Sequence, residues 1–222
     1  MSVSFPNEAM LHTPRPAVPS QSRDAGDREI EVFDGFAPQH RADVTALYLD
    51  AFGPKLARFL GRGARIRDFV HDTLNANFAV VAIDTQTGRV VGVAGFRTEQ
   101  GGLTERFGSR LHGHYGPFGG FWRGLILNLL QTQERSDKLL VDGIAVAERY
   151  RGSGIGTALL HALDAKAAAL GKQGIRLDVI DENRRAQALY ARHGYTVTDA
   201  HDIGLLRLIF GFRHATQMTR ML

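Results

Sequence analysis

Cysteine is absent from the 222 residues of the chain, and its absence excludes disulfides, thiolate metal sites and a cysteine nucleophile. Long apolar runs are also missing: no stretch approaches the roughly 18 residues needed to span a bilayer, so we expect no membrane partner. The first residues have no basic patch followed by an apolar segment. We therefore predict no signal peptide and a cytoplasmic protein.

The net charge of +4 is compatible with an acidic partner such as nucleic acid or a phosphorylated cofactor. The basic residues are scattered along the chain and form no run typical of a nucleic-acid-binding tail. We therefore expect no nucleic-acid partner, and the charge indicates an ordinary solvated surface.

Residues 1–27 mix proline, serine, asparagine and charged side chains, which predicts a flexible N-terminal arm. Residues 28–222 contain no internal repeat and no second linker, which predicts a single domain. Apolar spacing predicts helices over 40–49, 56–74 and 121–133, one from the end of a glycine-rich loop to residue 170, and one starting at residue 183. β-rich runs predict strands over 30–33, 78–83, 90–96, 138–146, 175–180, 195–197 and 215–221. Antiparallel hairpins, one strand–helix–strand crossover and a last strand pair predict an α/β fold of the α+β type with a mixed sheet.

A glycine-rich loop joins the predicted strand over 138–146 to the helix that follows it. Glycines let the backbone approach a ligand closely, and the free N–H groups at a helix start favour an anion. The loop therefore suits a phosphate or pyrophosphate, with Arg151 as an added charge. Its residues are Arg151, Gly152, Ser153, Gly154, Ile155, Gly156 and Thr157.

Spacing separates the known phosphate-binding loops. A P-loop ends in Gly-Lys-Ser/Thr, whereas no lysine precedes Thr157. A dinucleotide-binding loop has Gly-x-Gly-x-x-Gly on an opening strand, whereas this loop has Gly-x-Gly-x-Gly after several earlier strands. The pattern Arg151-x-x-Gly154-x-Gly156 instead resembles the cofactor signature of the GNAT superfamily, the acetyl-CoA-dependent N-acetyltransferases.

A second pattern strengthens this resemblance. About thirty residues on, Asn183-x-x-Ala186-x-x-Leu189-Tyr190-x-x-x-Gly194-Tyr195 is similar to the second signature of the family. The resemblance implies a mostly antiparallel, twisted sheet flanked by helices, in which the strands ending at residues 146 and 180 splay apart. It also implies that the pantetheine arm of acetyl-CoA pairs with exposed strand backbone in that cleft, at Ile144 and Val146.

The family reaction is direct attack of an amine on the thioester, without a covalent enzyme intermediate and without a metal. The resemblance assigns the backbone N–H of Val146 to the thioester carbonyl and gives Tyr190 the position of the general acid. Tyr190 is also compatible with a packing role. Asn183 is predicted first as a helix cap and second as a cofactor contact.

The general base is predicted from strand alternation. Asp142 is in phase with Ile144 and Val146, so we expect it to face the cleft and to take the proton of the amine through water. An ordinary salt-bridged aspartate fits the pattern as well. Asp178 and Asp181, on the neighbouring strand, are lesser candidates.

The middle of the chain offers a hypothesis for the acceptor. Residues 101–135 are predicted to form the acceptor side of the cleft, with an aromatic cluster that either lines the pocket or belongs to the core: Tyr115, Phe118, Phe121 and Trp122. His112 and His114 lack a partner at metal-ligand spacing and indicate a loop pair.

The sequence thus favours an N-acetyltransferase that uses acetyl-CoA and a small-molecule or peptide amine, with a homodimer possible. A non-catalytic acyl-CoA-binding or regulatory module is the alternative, and a dinucleotide-dependent oxidoreductase is a distant third. The identity of the amine is left open.

Overall fold

The computed structural model describes residues 15–16, 22–23, 29–104, 106–107, 110, 137–202 and 214–222. The predicted helix over 121–133 and most of the predicted arm over 1–27 lie outside these residues. The two described pieces of the arm each place two residues against the first long strand of the sheet.

One sheet organises the described part of the chain. Its strands lie in the order β1-β3-β4-β5-β7-β8-β10-β9, with β2 paired to β3 and β6 paired to β5. Among the strands that the structure describes, only β7 and β8 are parallel neighbours, which confirms the predicted mixed and mostly antiparallel sheet. The strands are β1 (Arg15–Pro16), β2 (Ser22–Arg23), β3 (Glu29–Asp34), β4 (Ala79–Asp84), β5 (Arg89–Thr98), β6 (Gly101–Gly102), β7 (Lys138–Val146), β8 (Gly174–Ile180), β9 (Thr196–Asp202) and β10 (His214–Met221).

Helices cover both faces of the sheet. On one face lie α1 (Arg41–Leu60) and α2 (Ala64–Thr73), and on the other lies α3 (Ile155–Ala169) with α4 (Arg184–Arg192). The central strand β4 is buried on both sides, which explains its continuous apolar sequence. Val80 and Ala82 join the core beneath α3, whereas Val81 and Ile83 join the core beneath α1 and α2.

The predicted break between the first two helices was wrong. It was placed over 50–55, where Gly53 and Pro54 stand, but α1 continues to Leu60 with Pro54 inside it. Pro54 has no N–H to donate to the carbonyl of Asp50. Both residues are exposed, so water can donate a hydrogen bond to that carbonyl instead. The break instead falls between Gly61 and Gly63, whose φ angles of 86° and 79° no helix accommodates.

The splayed strands are confirmed at β7 and β8. Their parallel pairing runs from Lys138↔Gly174 to Val141↔Leu177 and then stops, although β7 continues to Val146 and β8 to Ile180. Over that last stretch β7 remains paired to β5 and β8 remains paired to β10. A cleft therefore opens between β7 and β8, and each of these strands stays hydrogen-bonded to its other neighbour.

Candidate active site

The glycine loop lies at the mouth of this cleft, between β7 and α3. Gly152 and Gly154 have φ angles of 93° and 81°, which side chains rarely adopt, so glycine is required at both positions. A Cβ placed on Gly154 would meet no atom within 4 Å, so open space lies in front of this residue. Gly156 serves packing instead: a Cβ there would lie 3.1 Å from Leu189 of α4.

Free backbone amides converge at the start of α3. The first amide of this helix that bonds within the chain is that of Ala158, which donates to the carbonyl of Gly154 at 3.0 Å. Within the described ranges, the amides of Gly152 and of residues 154–157 have no acceptor. They carry the positive end of the helix dipole as well, so the loop has the groups that an anion needs.

Two side-chain bonds hold the loop against the strand end. Arg151 donates through Nε to the carbonyl of Val146 at 3.2 Å, and Ser153 donates through Oγ to the carbonyl of Tyr150 at 2.6 Å. Arg151 itself is exposed. A Cβ on Gly152 would lie 3.8 Å from a terminal nitrogen of Arg185, at the start of α4. The guanidinium groups of Arg151, in the loop, and of Arg185, next to it, therefore both add positive charge here.

The backbone of β7 turns two amides toward the cleft. Ala147 donates its amide to the carbonyl of Val91 at 2.9 Å, so its N–H points toward β5. Successive residues of an antiparallel strand point their N–H and C=O groups alternately toward the partner and away from it. In the observed register, the amides of Val146 and Ile144 therefore point away from β5 and into the splayed region, where β8 offers no partner.

Tyr190 lies in the core beneath α3, close to this region. It is 9% exposed, and its ring centroid is 5.8 Å from that of Tyr195. Burial raises the pKa of Tyr190 to about 12, so the phenol stays protonated at neutral pH. Its hydroxyl makes no hydrogen bond to any residue that the structure describes. The side chain thus has both a packing contact and an unused O–H donor.

Asn183 caps α4 as predicted. Its Oδ1 accepts a hydrogen bond from the amide of Ala186 at 3.1 Å, and the side chain is exposed. The capping role is therefore shown, whereas the cofactor contact stays a prediction.

Asp142 does not follow the alternation on which its prediction was based. The β5–β7 register shifts between Gly95↔Gly143 and Phe96↔Val141, so Asp142 is the extra residue of a β-bulge. Ile144 and Val146 pack toward the α3 core, but Asp142 lies among groups of the α1 face. It is therefore on the opposite face of β7 from Tyr190.

The surroundings of Asp142 are polar but enclosed. Its Oδ1 lies 3.0 Å from a terminal nitrogen of Arg97, and its Oδ2 is buried without a hydrogen bond to the described residues. Burial raises the pKa of Asp142, although Arg97 and the amides of Leu103 and Thr104 act against the rise. Asp142 and burial together raise the pKa of Tyr48 on α1. Sequence reasoning missed Arg97 because only the pairing of β5 with β7, which sets Arg97 against Leu140, brings it near Asp142.

The two lesser base candidates lie on β8 and beyond it. Asp181 accepts a hydrogen bond from Thr216 Oγ1 at 2.7 Å, and Asp178 is exposed on β8. The histidine pair 112 and 114 and the aromatic cluster over 115–122 lie outside the described residues. In the part of the chain that the structure describes, no three acidic or histidine side chains gather at metal-ligating distance. No helix in that part is both long enough and apolar enough to cross a membrane.

Comparison with known proteins agrees with this geometry. Residues 42–195, more than half of the chain, match the model of the acetyltransferase (GNAT) family. The chain therefore belongs to the GNAT acetyltransferase family, whose chemistry is acetyl transfer. No curated protein matches the chain.

Several solved structures share the fold. Ard1 from Thermoplasma volcanium is 16% identical with a TM-score of 0.55, over 87% of this chain and 97% of that one. A GCN5-related N-acetyltransferase from Kribbella flavida is 14% identical with a TM-score of 0.57, over 87% and 98%. An IAA acetyltransferase from Bacillus cereus is 16% identical with a TM-score of 0.53, over 87% and 99%. At these identities the likeness establishes the fold alone.

Proposed function

We propose that the protein is an N-acetyltransferase that moves an acetyl group from acetyl-CoA to a primary amine by direct attack, without a covalent intermediate. The observation that carries this proposal is a set of free amides in two groups: those of Ile144 and Val146 at the splayed end of β7, and those of Gly152 and of residues 154–157 at the start of α3. A ligand that follows this set needs hydrogen-bond acceptors along an extended arm and a negative charge at its far end. Acetyl-CoA has both.

In this proposal the pyrophosphate binds the amides of Gly152 and of residues 154–157, with Ser153 and Ile155 completing the loop. Arg151 and the helix dipole add positive charge. The pantetheine amides pair with the backbone of Ile144 and Val146, as a short additional strand would. Asn183 contacts the arm from the start of α4. The thioester then reaches the end of β7.

The reaction forms a C–N bond and breaks a C–S bond. The acceptor must first lose an ammonium proton, after which its nitrogen attacks the thioester carbon. The N–H of Val146 stabilises the oxyanion of the tetrahedral intermediate, and Tyr190 donates its O–H proton to the departing thiolate. As the intermediate collapses, the nitrogen loses its second proton, which passes through water to restore the phenol of Tyr190. Burial raises the pKa of Tyr190 to about 12, so the phenol enters each cycle protonated, but the same rise makes it a weaker acid toward the thiolate than an exposed tyrosine.

We propose Asp142 as the base, acting through water. The support is its raised pKa, which makes the carboxylate a better proton acceptor than an exposed aspartate, and the unbonded Oδ2. Arg97 holds the other oxygen and fixes the carboxylate in place. Oδ2 of Asp142 is buried on the α1 face of β7, so the proton of the acceptor ammonium must reach it from that face.

A thiol-release assay over a panel of amines tests the function. The purified chain with acetyl-CoA and an accepted amine should release free CoA thiol and give an acetylated amine detected by mass spectrometry. Tight acetyl-CoA binding with no thiol release from any amine would favour the non-catalytic acyl-CoA-binding module. Binding of NADH seen by fluorescence, without acetyl-CoA binding, would favour the oxidoreductase.

A further inference from the structure

His193, at the C-terminal end of α4, reaches across to the first turn of α3. Its Nε2 lies 3.0 Å from Oγ1 of Thr157, and this hydrogen bond spans 36 residues of sequence. The backbone of His193 is held at the end of α4, because its N–H donates to the carbonyls of Leu189 and Tyr190 at 3.2 and 3.0 Å. Thr157 in turn is one of the residues whose amides face the open side of the loop.

The direction of this bond decides what Thr157 can offer a ligand. If Nε2 carries no proton, the hydroxyl of Thr157 must donate to it, and only lone pairs remain for the ligand. If Nε2 carries a proton, it donates to Oγ1, and the hydroxyl proton of Thr157 is free to point at the ligand. A phosphate oxygen accepts hydrogen bonds and repels lone pairs, so it selects the second arrangement.

We propose that His193 is a positioning residue for the phosphate ligand: a proton on its Nε2 turns the hydroxyl of Thr157 into a donor to the pyrophosphate. The inference rests on the proposed function, which places the pyrophosphate at the loop. It adds a residue that neither family signature specifies. Because a bound anion also favours the imidazolium, which carries a proton on both ring nitrogens, it predicts that ligand binding is linked to proton uptake.

The charged groups around His193 set the direction of the linkage. His161 of α3 stacks edge-on at 5.5 Å between ring centroids, and Asp164 and Arg220 form an ion pair nearby, on α3 and β10. Burial, His161 and Arg220 lower the pKa of His193, Asp164 raises it, and Arg192 of α4 lowers it further. The free protein therefore holds His193 neutral near pH 7, and a bound anion raises its pKa again. Because the complex then binds more protons than the free protein, affinity must rise as the pH falls.

The test uses 3′-dephospho-CoA as the probe. This compound lacks the 3′-phosphate monoester of CoA, whose own titration at about pH 6 would obscure that of His193. Between about pH 8.5 and about pH 5.5, calorimetry should show the affinity for the probe rising by roughly three- to tenfold. Titrations in buffers of different ionisation enthalpy should show that binding takes up a fraction of a proton. His193→Leu should remove the pH dependence and weaken binding at the acidic end by roughly two- to tenfold, the worth of one hydrogen bond.

Two further variants separate positioning from structure. His193→Gln can still donate a proton to Thr157 but cannot titrate, so it should keep most of the affinity and lose the pH dependence. Thr157→Val removes the hydroxyl, and in that background His193→Leu should have no further effect. Additive effects of the two substitutions, or a pH dependence that survives in His193→Leu, would overturn the inference and leave the proposed function intact. Failure of the wild-type protein to bind the probe at any pH would overturn both.

Discussion

Gly154 and Gly171 offer a matched pair of substitutions at the two ends of α3. Both residues have left-handed backbone angles, with φ of 81° and 66°, and a Cβ placed on either would meet no atom within 4 Å. Alanine at each position therefore suffers the same backbone strain and no clash. Gly154 faces the open side of the loop, whereas Gly171 ends the helix far from the cleft.

The cost in stability follows from the backbone alone. An alanine in the left-handed region is strained by about 1–2 kcal/mol. Alanine also lowers the conformational entropy of the unfolded chain relative to glycine, which offsets part of this cost. We expect each variant to lose about 1 kcal/mol of unfolding free energy, which lowers the Tm of a chain of this size by about 2–4 °C. Thermal unfolding should give nearly equal losses for Gly154→Ala and Gly171→Ala.

The affinity for acetyl-CoA should separate the two variants. A methyl group on Gly154 projects into the space that the pyrophosphate needs and pushes the ligand off the loop amides. The loss of even one hydrogen bond to a charged group is worth about 1.5–3 kcal/mol, so calorimetry should show at least about a tenfold weaker Kd. Gly171→Ala should bind as the wild type does. Equal affinities in all three proteins would place the pyrophosphate elsewhere and refute the proposed cofactor site.

Three further substitutions test the chemistry and the frame. Tyr190→Phe keeps the ring and its packing but removes the O–H, so turnover should fall by roughly 100-fold with Kd for acetyl-CoA nearly unchanged; wild-type turnover would leave Tyr190 a packing residue. Asp142→Asn should depress kcat/KM most at low pH, where the amine is protonated, and the deficit should shrink toward the pKa of the amine; a loss that is uniform in pH would indicate a structural aspartate. Tyr150→Phe removes the 2.6 Å hydrogen bond to the buried carboxylate of Asp84 and should cost about 1–3 kcal/mol at neutral pH by denaturant unfolding. That bond lowers the pKa of Asp84. The stability that the bond contributes is therefore fully present above the ordinary aspartate pKa and is lost as the pH falls through the lowered pKa of folded Asp84. A stability difference between Tyr150→Phe and the wild type that persists in acid would contradict this assignment.

The elements that sequence reasoning predicted well are those determined locally. The apolar run of β4 and the turn after it are short-range features, and the side chain of Asp84 holds that turn by accepting from the amides of Gln86 and Thr87. The end of α3 is equally local: Gly171 adopts a left-handed conformation, and Lys172 donates back to the carbonyl of Ala167 at 2.9 Å. The capping bond of Asn183 follows from the same short-range rules.

What sequence reasoning missed depends on contacts between distant segments. The bulge at Asp142 arises from the register of β7 against β5, and alternation along β7 alone cannot reveal it. The partners Arg97 and His193 lie 45 and 36 residues from the groups they contact, respectively. His193 had one signal, its place directly before Gly194 of the second signature, but that position does not indicate which side chain it meets. Pro54 inside α1 is the reverse case, in which packing and an exposed carbonyl override a local helix breaker.

The proposed function requires this cleft to transfer an acetyl group rather than only to bind a thioester. The most direct measurement is a single-turnover experiment with acetyl-CoA carrying an isotopic label in its acetyl group, an excess of enzyme and an accepted amine from the panel. All of the label should appear in the amide product as CoA thiol is released at the same rate, with none left covalently on the protein. Label retained on the protein before it reaches the amine, or thiol released without a labelled amide, would contradict direct transfer.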